Sequence, residues 1–151
     1  MSIVVRAIDV GFGNTKYVTS STNGKVECAH FPSLAFYCHS DQATDSMGGK
    51  RRTVQVPVDG LFYEVGPDVE LAADRFRSWQ LHDGYTETAE YRAFTAGALH
   101  FMKVDTVDLL VVGLPVAQFL AKRSALEKAM TGAFEVGRKR TIVVKKTLVV
   151  P

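Results

Sequence analysis

The segment Ile8-Asp9-Val10-Gly11-Phe12-Gly13-Asn14-Thr15-Lys16 constrains this chain more than any other. Residues 3–10 are rich in β-branched apolar side chains (Ile3, Val4, Val5, Ile8 and Val10) and read as a buried strand. The strand carries a carboxylate near its end and runs into a turn with two glycines and a lysine. Such a turn makes an anion cradle. Glycines let backbone N–H groups approach phosphate oxygens with no Cβ in the way. A lysine adds a point charge. A carboxylate beside phosphates calls for a cation between them, commonly Mg²⁺ that keeps several waters. The alternative is a plain hairpin, with an Asp bonded to its own turn and a solvated Lys. The common phosphate motifs fail. The dinucleotide fingerprint needs a third glycine where Lys16 stands, and a helix where Tyr17-Val18-Thr19 stand. The Walker-type loop needs Ser or Thr after Gly-Lys, but Gly24-Lys25 is followed by Val26 and Gly49-Lys50 by Arg51.

The rest of the chain alternates strand and helix signals. Residues 17–19 read as a second strand, Thr22-Asn23-Gly24 as a turn, and residues 25–31 as a third strand ending at Pro32. Three strands joined by short turns predict an antiparallel meander. Residues 39–52, with Gly48-Gly49 and Lys50-Arg51-Arg52, predict a mobile loop. Asp59-Gly60 between residues 53–58 and 61–65 is a hairpin signal. A short helix is expected over residues 69–73. Thr86 is the expected cap of a longer helix, with Glu87 and Glu90 in its first turn and Tyr91, Phe94, Ala98, Phe101 and Met102 at helical spacing. The apolar run 107–116 predicts a central strand covered on both faces, ended by Gly113 and Pro115. A second helix over 117–130 turns Phe119, Leu120, Leu126 and Met130 inward, with Gly132 closing it. Residues 134–150 read as two or three short strands. The order predicts an α/β layered domain.

Composition narrows the function classes. A chain of 151 residues points to one domain. Eighteen basic and 16 acidic residues leave a formal charge of +2, which excludes a polyanionic tail protein and argues against direct nucleic-acid binding. Two cysteines cannot build a disulfide scaffold. No apolar run reaches the roughly 20 residues of a membrane helix, and residues 1–6 carry no signal-peptide pattern. The expected compartment is the cytoplasm, with no membrane partner.

Asp9 to Lys16 after an apolar strand resembles the first phosphate motif of the actin-like ATPases, a superfamily that includes sugar kinases and DnaK-type chaperones. The wording is most similar to bacterial actin homologues of the ParM/StbA plasmid-segregation type, including the PRTRC group. Asp59-Gly60 with Tyr63-Glu64-Val65-Gly66, Val112-Gly113-Leu114-Pro115-Val116 and Leu148-Val149-Val150-Pro151 extend the resemblance over nearly the whole chain. It implies an actin-like (ribonuclease H-like) α/β fold: a mixed sheet that starts with a β-meander and is flanked by helices, with a small inserted subdomain around 33–85. Asp9 would hold Mg²⁺ through water. Gly11, Phe12, Gly13 and Asn14 would offer backbone donors to the phosphates of ATP, and Lys16 would neutralise phosphate charge. Thr15 receives no contact. Family members run to roughly twice this length. Their second domain brings the opposite phosphate hairpin and most of the adenosine pocket, and the water-positioning group lies just past the position of Pro151. The chain is therefore expected to be the amino-terminal half, with no catalytic residue of its own. Implied partners are further copies in a filament and a plasmid-bound adaptor. Two other readings stay open: a small-molecule kinase of the same superfamily, and a non-enzymatic nucleotide-regulated adaptor or nucleic-acid-binding module.

Weaker groupings add little. Cys28, His30, Cys38 and His39 match no zinc spacing. Lys50-Arg51-Arg52 and the set Arg138, Lys139, Arg140, Lys145 and Lys146 form basic clusters that read as solvated turn residues or subunit contacts. Trp79 reads as an anchor of a satellite core, and His82 and His100 receive no role.

Overall fold

The computed structural model describes residues 2–38, 52–72, 84–137 and 140–151. Strand β1 (Val5–Val10) pairs antiparallel with β2 (Asn14–Thr22), and β2 with β3 (Lys25–Pro32), giving the expected meander. The second strand begins at Asn14, three residues earlier than its apolar signature. Only Gly11-Phe12-Gly13 therefore remain between β1 and β2.

Strand β4 (Phe36–Cys38) and the hairpin of β5 (Val54–Val58) and β6 (Leu61–Val65) form a separate three-stranded antiparallel sheet in the order β4-β6-β5. Asp59 and Gly60 both take positive φ, 51° and 82°, as a type I′ hairpin turn requires. A 3₁₀ turn follows at Val69–Ala72, where a short helix is expected.

Helix α1 spans Ala89–Phe101. Its cap is Thr88, not Thr86: the Thr88 hydroxyl accepts from the Tyr91 amide at 3.1 Å, while Thr86 lies inside a 3₁₀ turn at Tyr85–Glu87. The face from Tyr91 to Leu99 is buried against β1, β2, β5 and β6. At Gly97 a side chain would overlap Val65 Cγ2, so helix and sheet approach closely there.

The apolar run 107–116 is not one strand. Strand β7 (Thr106–Val107) and β8 (Leu109–Gly113) belong to different sheets. They part at Asp108, whose carboxylate accepts the Val4 amide at 2.7 Å and pairs with Lys145 at 3.1 Å. Helix α2 (Val116–Ala129) starts immediately after Pro115. Leu120, expected inward, is 91% exposed, and Val116 one turn before it is also exposed. Leu126 and Met130 are buried as expected.

Strands β9 (Gly132–Glu135) and β10 (Thr141–Val144) pair antiparallel, with β7 parallel on the far side of β10. Strand β11 (Thr147–Val150) joins the main sheet, whose order is β11-β8-β1-β2-β3. Here β1, β8 and β11 run parallel. This mixed five-stranded sheet with two helices is the α/β architecture that the sequence implies. Its core is built from Ile8, Tyr17, Phe31, Phe94, Leu99, Leu110 and Val112, among others. Among the described residues no helix is long and apolar enough to cross a membrane.

Candidate functional site

The carboxyl ends of three parallel strands converge at Val10, Gly113 and Val150. Clefts beyond such ends are where open α/β sheets bind ligands. The Gly11–Asn14 turn emerges there. Alternation along β1 and β2 turns Ile8, Val10, Thr15 and Tyr17 into the core and leaves Asp9 and Lys16 exposed on the other face. Asp9 and Lys16 are directly opposed in the ladder, and Gly113 neighbours Asp9: a Cβ added at Gly113 would lie 3.9 Å from Asp9 Oδ1.

The turn is tightly closed. The Gly11 amide donates to the Asn14 carbonyl at 2.9 Å, and a Cβ at Gly11 would meet that same oxygen at 2.9 Å, so only glycine fits. The Ser33 amide donates to the Gly13 carbonyl at 3.0 Å, and the Ser33 hydroxyl to the Gly11 carbonyl at 2.8 Å. The Gly11, Gly13 and Asn14 carbonyls are thus taken by protein donors. Among the described residues nothing accepts from the Phe12 and Gly13 amides, and Phe12, Gly13 and Asn14 are exposed. Two free amides, a carboxylate and an ammonium on one exposed edge can receive a polyanion with its cation. A single exposed carboxylate without a protein partner suits Mg²⁺, which keeps most of its waters, better than a metal that needs a full protein cage. No group of three or more His, Cys, Asp or Glu with metal-binding geometry occurs among the described residues.

Two tyrosines lie within the field of Asp9. Tyr85 and Tyr91 pack edge to face with centroids 5.5 Å apart. Burial pushes both hydroxyls above the ordinary phenol value, and the Asp9 charge pushes further in the same direction. Tyr91 is 1% exposed, and among the described residues its hydroxyl has no hydrogen-bond partner. The sequence marked Tyr91 only as a helix-face residue.

A groove of about 800 Å³ lies elsewhere, between β5, α1, α2 and β9. It includes Tyr91 but none of residues 9–16. Two members of the basic set of the tail are engaged. Arg140 donates to the His100 and Val104 carbonyls, and Lys145 pairs with Asp108. Cys28 is an exposed free thiol, and His30 lies on the same open face. The side chain of Cys38, together with His39, Trp79, His82, Arg138, Lys139 and the loop 39–51, lies outside the described residues.

These features define an actin-like domain. Residues 7–151 match the family of actin-like protein N-terminal domains, and the chain belongs to it. Solved structures agree on the fold at low identity. The apo ParM of psk41 superposes with a TM-score of 0.68 at 13% identity, covering 99% of this chain and 50% of its own. AlfA from a Bacillus subtilis plasmid, solved as a filament, gives 0.64 at 14% identity, covering 97% and 55%. Bacillus thuringiensis ParM with AMPPNP gives 0.54 at 13% identity, covering 99% and 44%. The chain thus spans about half the length of the structures it matches. No curated protein matches the sequence.

Proposed function

We propose that this chain is the first of two domains of an actin-like ATPase of the plasmid-segregation type, with β4 to β6 in a small inserted subdomain. The observation that carries the reading is the Gly11–Asn14 turn. Its Gly11 and Gly13 carbonyls are held by Ser33 and its Asn14 carbonyl by its own closure, its Phe12 and Gly13 amides are free among the described residues, and it lies between Asp9 and Lys16. The turn of Gly11, Phe12, Gly13 and Asn14 receives the phosphates of ATP through its free Phe12 and Gly13 amides, while the Gly11 amide closes the turn on the Asn14 carbonyl, and Lys16 neutralises phosphate charge. Asp9 would hold Mg²⁺ through water, and the metal would supply neutralisation of phosphate charge. Catalysis is then positioning and electrostatic stabilisation, as in other phosphoryl transfer, with the water-positioning group on the second domain. The protein acts in the cytoplasm, and ATP-dependent filaments couple to a plasmid through an adaptor. A relative solved as a filament and another solved with AMPPNP support this reading.

Sedimentation of the full-length protein with ATP and Mg²⁺ tests it. Pelleted filaments that dissolve as ATP is consumed are expected. A protein that turns over ATP only with an added small-molecule acceptor, and stays monomeric, would instead be a kinase of the same fold. A soluble protein retarding DNA in a salt-dependent manner would point to a nucleic-acid-binding module.

A further inference from the structure

The phosphate turn is held from beneath by two buried hydroxyls that the sequence did not assign. Thr15 Oγ1 lies 3.0 Å from Ser33 Oγ, and Ser33 Oγ donates to the Gly11 carbonyl at 2.8 Å. A hydroxyl has one proton. Ser33 spends its proton on Gly11, so Thr15 is the donor between the two. The relay therefore has a direction, from Thr15 through Ser33 to the Gly11 carbonyl. Ser33 grips the turn a second time, because its amide donates to the Gly13 carbonyl at 3.0 Å. Thr15 and Ser33 are 0% and 2% exposed, so water cannot replace either partner.

We infer that Ser33, backed by Thr15, is a positioning residue for the anion-binding turn. The inference rests on the phosphate-binding reading above. Ser33 fixes the Gly11–Phe12 and Gly13–Asn14 peptide planes, and so brackets the Phe12–Gly13 peptide between two held neighbours. With the Gly11 and Gly13 carbonyls turned inward, no carbonyl oxygen of those two residues can swing toward a phosphate and repel it. The donors are in place before the ligand arrives, so binding needs no reorganisation of the turn. Ser33 itself is buried beneath the turn and acts only through it.

The test uses the full-length protein with Ser33→Ala, Thr15→Val, their double variant and Thr15→Ser, each followed by amide hydrogen exchange without nucleotide and by ATP titration with Mg²⁺. In Ser33→Ala the Gly11 amide should exchange at least about 5-fold faster, with Val112 of β8 unchanged, and ATP affinity should fall about 5- to 100-fold. Thr15→Val, which keeps the volume and removes the hydroxyl, should weaken ATP about 2- to 10-fold. The double variant should match Ser33→Ala, because Thr15 acts through Ser33. Thr15→Ser should bind as wild type. Should Ser33→Ala not fold, wild-type affinity in Thr15→Val would overturn the proposal. Faster exchange in Ser33→Ala with unchanged affinity would overturn it too, leaving a purely structural bond. Wild-type protein whose Phe12 and Gly13 amides do not respond to ATP would overturn the phosphate-binding reading and this proposal with it. A wild-type response retained at full affinity in Ser33→Ala would overturn this proposal alone.

Discussion

Asp9 and Lys16 stand opposite each other across the β1–β2 ladder, yet no ion pair joins them, and among the described residues neither has another ion-pair partner. Opposite charges at facing positions normally stabilise a pair of strands a little. Here both heads remain available on the open face, as expected of groups that meet a ligand. Asp9→Ala should abolish the Mg²⁺ dependence of ATP binding in the full-length protein. Lys16→Ala should weaken binding with or without metal. A charge-assisted contact corresponds to roughly 10- to 150-fold in affinity. Calorimetric titration checks both, and wild-type binding in the two variants would remove the phosphate assignment.

Gly11 and Gly13 should respond differently to a methyl group. A Cβ at Gly11 meets the Asn14 carbonyl oxygen at 2.9 Å, whereas one at Gly13 meets nothing within 4 Å. Gly11→Ala must therefore open the turn and misplace the Phe12 and Gly13 amides. ATP affinity should drop while the melting temperature moves only a few degrees, about 2–4 °C per kcal/mol at this size. Gly13→Ala should leave stability unchanged, and any loss of affinity there would report how closely the ligand approaches. Thermal melts run beside titrations separate the two effects.

His100 should make stability depend on pH in the mildly acidic range. Burial lowers its pKa first, then the Arg140 charge, against a hydrogen bond with the Val136 backbone that acts the other way; Lys103 adds a smaller lowering. Arg140 Nη1 lies 3.4 Å from His100 Nδ1, which suits a neutral ring accepting at that nitrogen. Between the lowered folded value and the ordinary value near 6.5, the unfolded chain binds more protons than the folded one. Stability therefore rises with pH through this window and is lost as pH falls below about 6.5. Replacing His100 by Gln should flatten that part of the profile. Chemical denaturation at pH 5, 6 and 7 measures it, and an unchanged slope in His100→Gln would assign the effect elsewhere.

Gly97 tests the packing of α1 on the β4-β6-β5 sheet. Its Cβ position is filled by Val65 Cγ2, with Phe31 at 3.6 Å behind. Helix propensity alone favours Ala over Gly by roughly 1 kcal/mol. Overpacking of this kind costs about 1–3 kcal/mol, so Gly97→Ala should lower the melting temperature despite the better helix former. A stabilised variant would mean that α1 can move away from β6 freely.

Much of the fold was legible because its signals are local. Asp59-Gly60 fixes a hairpin through backbone conformation alone, and Asp9 at the end of an apolar strand marks the candidate site before any tertiary contact is known. What escaped depends on partners distant in sequence. Ser33 meets Thr15 across 18 positions, and no periodicity announces a buried hydroxyl relay. Leu120 looks like a core residue by spacing, but the inward face of α2 is set by Leu126 and Met130, leaving Leu120 on the far side. Asp108 interrupts an apolar run because its carboxylate ties Val4 to Lys145, a tertiary event that hydropathy cannot register. Thr86 and Thr88 are equally good caps on paper. The 3₁₀ turn at Tyr85–Glu87 decides for Thr88, whose hydroxyl also donates to the Tyr85 carbonyl at 2.7 Å.

The last prediction concerns residues 1–151 alone. The described residues hold the Gly11–Asn14 turn, the Asp9 carboxylate and Lys16, all at the end of the main sheet where β1 turns into β2. The chain spans about half the length of the structures it matches, and under the proposed reading the opposite wall of the cleft belongs to the other half. A single exposed turn competes directly with water and salt, and its Coulomb attraction to phosphate is screened over about 8–10 Å. Closed clefts gain most of their affinity from contacts on both walls and from excluding water. Edge pairing should be limited, because Glu127 Oε1 accepts the Val149 amide at 3.2 Å and so blunts the open side of β11. This domain should therefore fold on its own and stay monomeric, bind ATP in the millimolar range at about 4 kcal/mol, and hydrolyse none. Circular dichroism, sedimentation and a phosphate-release assay check the three parts. Magnesium-dependent turnover by the isolated domain that disappears in Asp9→Ala would show that one wall suffices, and would overturn the division of the site between two domains.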